Sequence, residues 1–139
     1  MPDDRDLLIQ ATDLMDLGRL EEALAIFQTL LKTDSNNAII WNSIGIIKFR
    51  QGEYREAANA FGQAADINPE FTSAWFNKSL ALVHLGKETE ALRALDKVLK
   101  LNRRDREAIS QRDLIVRKIA QTGEKRTQER NSGQTQLRV

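Results

Sequence analysis

The chain contains no cysteine, one histidine (His84) and two prolines (Pro2 and Pro69) among its 139 residues. Without cysteine there is no disulfide, no thiolate metal site and no thiol nucleophile, and the composition fits a reducing compartment. His84 has no second histidine and no cysteine near it, so no metal-ligand spacing exists and neither metal nor cofactor is expected. A solitary histidine also lacks the positioned partner that acid–base or nucleophilic catalysis requires. It reads as a solvated side chain, and no catalytic residue is assigned. Glycines are few and isolated, which excludes a phosphate-cradling loop. No stretch approaches the roughly 20 apolar residues that cross a bilayer. The start, Met1 to Asp6, is acidic where a secretory signal would be basic and then apolar. These absences point to a cytoplasmic protein that is not an enzyme and has no membrane partner.

A chain of this length is one domain's worth and can bury a core without covalent staples. Its net charge of +1 conceals an asymmetry: residues 1–102 carry 11 Lys or Arg against 15 Asp or Glu (−4), and residues 103–139 carry 10 against 5 (+5). The basic end, with Arg103, Arg104, Arg112, Arg117, Lys118, Lys125 and Arg126, has the sign to attract phosphate. Asp105, Glu107, Asp113 and Glu124 interrupt it, and no aromatic is interleaved for base stacking. A solvated helix face, or a surface that docks on an acidic protein, is the better reading, and nucleic acid is not expected as a partner.

Against these absences stands a period of 34 residues. Gly18, Gly52 and Gly86 fall in register at that shift, as do Ala23, Ala57 and Ala91. Phe27 and Phe61 align, followed by Leu95, and Trp41 aligns with Trp75, with Leu7 in the earlier place. Each unit reads as two helices. In the middle unit, Ala38 to Arg50 carries Trp41, Ile44, Gly45 and Ile47 at helical spacing. Gln51-Gly52-Glu53 breaks the chain where glycine can take a left-handed conformation. Tyr54 to Ile67 then places Ala57, Ala58, Phe61, Ala64 and Ala65 on one stripe, and Asn68-Pro69 stops the helix. Small residues such as Gly45, Ala57 and Ala64 allow close helix approach, and Trp41 and Phe61 fill the remaining space.

The middle unit resembles a tetratricopeptide repeat. Trp41-Asn42-Ser43-Ile44-Gly45 matches that family's Trp-x-x-Leu-Gly signature, Ala57 to Phe61 its Ala-x-x-x-Phe, and Pro69 its closing proline. Lys48 stands where the family has an aromatic. The resemblance runs from Asp4 to Asp105; the third unit keeps Trp75, Gly86 and Ala91, and the first keeps Gly18, Ala23 and Phe27. It implies an all-α superhelix of three helix pairs at about residues 4–37, 38–71 and 72–105. A seventh helix is expected over 105–120, with Ala108, Ile109, Ile115, Val116 and Ile119 on one side to close the open end. Residues 1–120 then form the repeat domain. The remainder, 121–139, is polar and without aromatics, and an unordered tail is expected there.

In such arrays the first helix of each unit lines the inner surface, which holds partner segments. On this sequence that set is Leu8, Thr12 and Met15, with Arg5 and Asp16 beside them; Ile39, Asn42, Ile46, Phe49 and Arg50; and Ser73, Phe76, Asn77, Leu80, Val83 and His84. So apolar a surface is seldom left exposed without a use. The expected function is an adaptor that binds an apolar peptide or helix of another protein. Alternative occupants are a second copy, giving a homodimer, and the chain's own closing helix or tail. Another alternative is a small chaperone that holds hydrophobic client segments, by resemblance to secretion chaperones. Some family members grip a chaperone's C-terminal carboxylate through a lysine and asparagine on the first repeat, an asparagine on the second and basic residues on the third. The matching places here hold Leu8, Thr12, Ser43, Ser73 and Asn77, so that clamp is not expected.

Overall fold

The computed structural model describes the backbone of residues 2–137 and the side chains of residues 2–130. The chain is all-α, with seven helices and, among the described residues, no strand: α1 (Asp4–Asp16), α2 (Leu20–Thr33), α3 (Ala38–Arg50), α4 (Tyr54–Ile67), α5 (Thr72–His84), α6 (Glu88–Leu101) and α7 (Arg106–Leu137). Each helix packs on its neighbours along the chain, and α3 also touches α5, so that successive helix pairs stack side by side.

The three turns inside the pairs are built alike. Gly18, Gly52 and Gly86 have φ of +79°, +79° and +74°. The Gly18 N–H donates to the Met15 carbonyl and the Arg19 N–H to Leu14. Gly52 and Glu53 bond Phe49 and Lys48 in the same way, and Gly86 and Lys87 bond Val83 and Leu82. This pair of bonds satisfies carbonyls that a helix end leaves open, and it needs a left-handed residue in the middle. Space around each glycine is open, with nothing within 4 Å of a built Cβ. Gly52→Ala is therefore expected to destabilise by about 1–2 kcal/mol through backbone strain alone, as chemical denaturation would measure. The joints between pairs repeat too. The indole N–H of Trp41 donates to the Ser35 carbonyl at 2.9 Å, and that of Trp75 to the Pro69 carbonyl at 2.9 Å. Each tryptophan thus clasps the loop before its own helix.

Small residues bring the helices of the middle pair together. A Cβ at Gly45 would lie 2.5 Å from Cδ1 and Cε1 of the Phe61 ring, so α3 meets α4 with no room for a methyl group. Phe61 is buried together with Ala57 and Ala58. In the first pair Phe27, Ala11 and Ala23 are fully buried, and Ile40, Ile44 and Ile47 of α3 complete that cluster.

Lys48, the departure from the repeat pattern, has its own compensation. Its Nζ lies 3.0 Å from Glu53 and 3.0 Å from Glu56 at the start of α4. The bonds it donates to Glu53 and then Glu56 hold the ammonium above the ordinary lysine range, and the Lys48 bond, ahead of one with Glu53, holds Glu56 below the ordinary carboxylate range. A lowered carboxylate contributes stability above its unfolded value and loses it as pH falls; a raised lysine contributes below its unfolded value and loses it as pH rises. The pair therefore acts across the neutral range and fails at both extremes. The melting-temperature difference between wild type and Glu56→Gln should be largest near neutral pH and shrink toward zero on acidification, as a series of thermal melts would show.

α7 runs antiparallel to α6. Arg112 faces Asp96 at 3.9 Å, and Lys118 reaches Glu88 at 3.1 Å. Glu88 is held below the usual carboxylate range, first by its own backbone N–H and then by Lys118. Two features differ from the sequence reading. Only Ala108 and Ile115 of the anticipated apolar side are buried; Ile109, Val116 and Ile119 remain 40–47% exposed. The reason is that one neighbouring helix covers only part of α7's circumference. The helix also does not end near residue 120. It continues to Leu137, with every described side chain from Val116 to Arg130 exposed. The last stretch was expected to be unordered for want of apolar surface. Helical bonding along the backbone needs no such surface, and Thr122 and Thr127 direct their hydroxyls to carbonyls one turn back. Residues 138 and 139 of the anticipated tail lie outside the described residues.

Candidate binding groove

α3 and α5 lie side by side, and two adjoining hollows open between them. One, of about 250 Å³, is lined by Ile46, Phe49, Arg50, Phe61, Asn77 and Leu80. The other, of about 360 Å³, is lined by Asn42, Ile46, Thr72, Ser73, Phe76, Asn77, Asp105 and Glu107. Ile46 and Asn77 belong to both, so the hollows form one continuous groove.

At the centre is an amide pair. Asn77 Nδ2 donates to Asn42 Oδ1 at 3.2 Å, and Asn42 is buried. Each carboxamide has a donor group and an acceptor oxygen, so Asn42 keeps its amino group and Asn77 its carbonyl oxygen beyond this bond. Arg50 is fixed from behind, because its Nη1 donates to the Met15 carbonyl of α1 at 3.1 Å. That bond ties the first pair to the second and leaves the rest of the guanidinium at the rim of the smaller hollow. Past Phe49 the groove ends in aromatics: His84 stacks on Tyr54 with ring centres 4.2 Å apart, and Phe49 meets both rings edge-on at 5.2 Å.

Of the residues anticipated from sequence, the two hollows bring together Asn42, Ile46, Phe49, Arg50, Ser73, Phe76, Asn77 and Leu80. Val83 is half-buried against the core beside them, and His84 stands at the aromatic end. The rest lie elsewhere. Ile39 is 60% exposed two turns up α3 from Ile46 and lines neither hollow. Leu8 lines a separate hollow with Asp4, Arg5, Leu30 and Asn37. Thr12 is exposed and donates its hydroxyl to the Leu8 carbonyl, and Met15 is buried in the core. The inner surface of the first pair is thus not continuous with the groove. Tyr54, Asp105 and Glu107 were not anticipated. Tyr54 opens α4, a second helix of its unit, and the two acids follow the last full unit; only their adjacency to a turn hinted at a place near the groove. Ser43, where a clamp asparagine would stand, is buried and donates to the Ile39 carbonyl at 2.9 Å. The closing helix does not lie across the groove: α7 docks on α6, and only its start at Glu107, with Asp105 before it, reaches the rim.

Stacked helix pairs with glycine-pivoted turns and a groove along their first helices define an α-helical repeat scaffold. The family model for the tetratricopeptide repeat matches residues 9–54 and 43–106, and the chain belongs to the tetratricopeptide repeat family. It is 25% identical over 120 residues, 86% of its length, to the transcription factor tau 131 kDa subunit of Saccharomyces cerevisiae, and spans only 12% of that protein. Among solved structures it superposes with a TM-score of 0.81 on the first TPR of Spaghetti (RPAP3) bound to HSP90 peptide SRMEEVD, at 21% identity, covering 84% of this chain and 93% of that one. The Yersinia enterocolitica type III secretion chaperone SycD, in complex with a peptide of the translocator YopD, superposes with a TM-score of 0.77 at 21% identity, covering 82% and 92%. At this identity the likeness concerns the fold.

Proposed function

We propose that the chain is a non-catalytic protein-interaction module that holds an apolar segment of another protein in the groove between α3 and α5. The observation that carries this reading is the open continuity of Ile46, Phe49, Phe76 and Leu80 around a half-buried amide pair. Such a groove takes apolar side chains in its hollows and offers Asn42 and Asn77 to a partner's backbone. The fold supports the same reading, since it is a scaffold for protein contacts and two structural neighbours were solved with peptides bound. The second of these, a secretion chaperone, keeps a client-holding role as the nearest variant of the proposal.

The test is selection of a random peptide library on the immobilised chain and on Ile46→Glu, Phe76→Glu, with circular dichroism to verify that the variant keeps its helices. Wild type should enrich peptides with a large apolar residue, and the folded variant should lose at least tenfold in affinity for them. Equal binding to both proteins would move the site away from the groove. Light scattering on the same samples separates the other occupant: a wild-type dimer that becomes a folded monomer in the variant would mean that the groove is filled by a second copy.

A further inference from the structure

The two hollows differ in charge. Arg50 stands at the rim of the smaller one, where Phe49, Phe61 and Leu80 supply apolar walls. The larger is walled by Asp105 and Glu107 at the entry to α7, with no cationic residue among those lining it. One oxygen of Asp105 is taken by the Ala108 N–H at 3.1 Å. The other oxygen, and both of Glu107, have no partner among the described hydrogen bonds and ion pairs. The groove is thus a dipole, acidic at one hollow and basic at the other, around an uncharged amide centre.

The spacing of the hollows has a match in peptide geometry. The lining residues pass from Asn42 and Ile46 to Ile46, Phe49 and Arg50 along α3, and from Ser73 and Phe76 to Asn77 and Leu80 along α5, an offset of about one helical turn, some 5–6 Å at ~1.5 Å per residue. An extended chain repeats side chains on one face every ~6.6 Å. Residues i and i+2 of a strand-like segment therefore fit the two hollows. A peptide group between them would lie over the amide pair, its C=O toward the Asn42 amino group and its N–H toward the Asn77 carbonyl oxygen.

Resting on the groove reading above, we infer that the bound segment is extended and charge-polar: a large apolar side chain fills the Phe49–Leu80 hollow, and a lysine or arginine two residues away enters the hollow walled by Asp105 and Glu107. An acidic group on the far side of the apolar anchor meets Arg50. A helical segment would present i and i+4 on one face and leave no backbone group free for the amides.

The closing experiment repeats the library selection on wild type and on the charge reversal Glu107→Lys. Glu107 is exposed, so the reversal leaves the fold intact. A selected peptide, labelled with fluorescein, is then titrated by polarisation. Wild type should enrich Lys or Arg two positions from the apolar anchor, and Glu107→Lys should enrich Asp or Glu there. Replacing the peptide's basic residue by Glu should weaken binding about fivefold to wild type, in line with partly exposed ion pairs. The loss should be recovered on Glu107→Lys and should diminish at high salt. Apolar enrichment with no charge preference, or with a preference unmoved by the reversal, overturns this inference and leaves the groove reading standing. Apolar residues spaced i and i+4, with no basic residue, overturn it in favour of a helical occupant. No apolar enrichment on wild type overturns the groove reading itself.

Discussion

Gly45→Ala is expected to destabilise the chain by about 1–3 kcal/mol, the usual range for forcing one methyl group into a well-packed core. The built Cβ sits 2.5 Å from two carbons of the Phe61 ring, and Phe61 is itself 1% exposed, so the ring has no free space to retreat into. Helix propensity works the other way: alanine is better than glycine inside a helix by about 1 kcal/mol. Overpacking must exceed that gain, and the net loss measures how rigidly α3 and α4 are held together. Urea denaturation followed by circular dichroism gives the number. Gly45→Ala combined with Phe61→Leu should be more stable than the sum of the two single changes predicts, because the smaller side chain makes room for the methyl group. Strict additivity would mean that α4 shifts as a body, and the contact between the two helices would then be looser than the geometry indicates. Phe61→Ala alone, which leaves a cavity and keeps the glycine, should cost about 3–5 kcal/mol.

Ile115→Asp should detach α7 without unfolding the three helix pairs. Ile115 is 2% exposed and joins Ala81, Leu82, Leu95 and Val98 in one apolar cluster. An unpaired carboxylate there costs about 3–5 kcal/mol while α7 remains docked. The described ion pairs of α7 reach only α6, so releasing it is the least costly escape. Far-UV circular dichroism should lose the part of the helical signal that comes from the docked start of α7, from Arg106 to Ile115. Near-UV signals from Trp41 and Trp75, held in their clasps by the loops before α3 and α5, should persist. Ile115→Val, which removes one methylene, should cost only about 0.5–1.5 kcal/mol. Simultaneous loss of both signals in Ile115→Asp would show that α7 and the repeats unfold as one cooperative unit. Detachment also uncovers Leu82, Leu95 and Val98, so the variant is expected to associate at high concentration.

The architecture was legible in the sequence because a 34-residue period expresses two independent constraints at once. Glycine is needed wherever the chain turns with φ near +79°, and alanine or glycine wherever two helices touch. Those demands recur in every unit, so the residues recur. The groove was legible in part, for eight of the nine residues of α3 and α5 that line the hollows, Thr72 being the ninth. Periodicity gives a helix face but not which stretch of that face stays open. Ile39 and Ile46 lie seven residues apart on one side of α3, and only Ile46 falls between two helices. Leu8 occupies the register of Asn42 in α1 but borders a different hollow. Asp105 and Glu107 were passed over because they lie at and beyond the end of the last complete unit, where the period no longer says what faces what.

The tryptophan clasps and glycine turns have a consequence for size. A barrel must close, and its strand number is set by closure. Here every joint is made locally, by an indole N–H reaching a carbonyl six residues earlier and by two bonds across a glycine. Nothing in one joint refers to the total number of joints. The reach of the groove is therefore metered in steps of one unit. A chain with one more copy of residues 38–71 would have the same fold and a longer groove, extended by added length and not by reshaping what is already there.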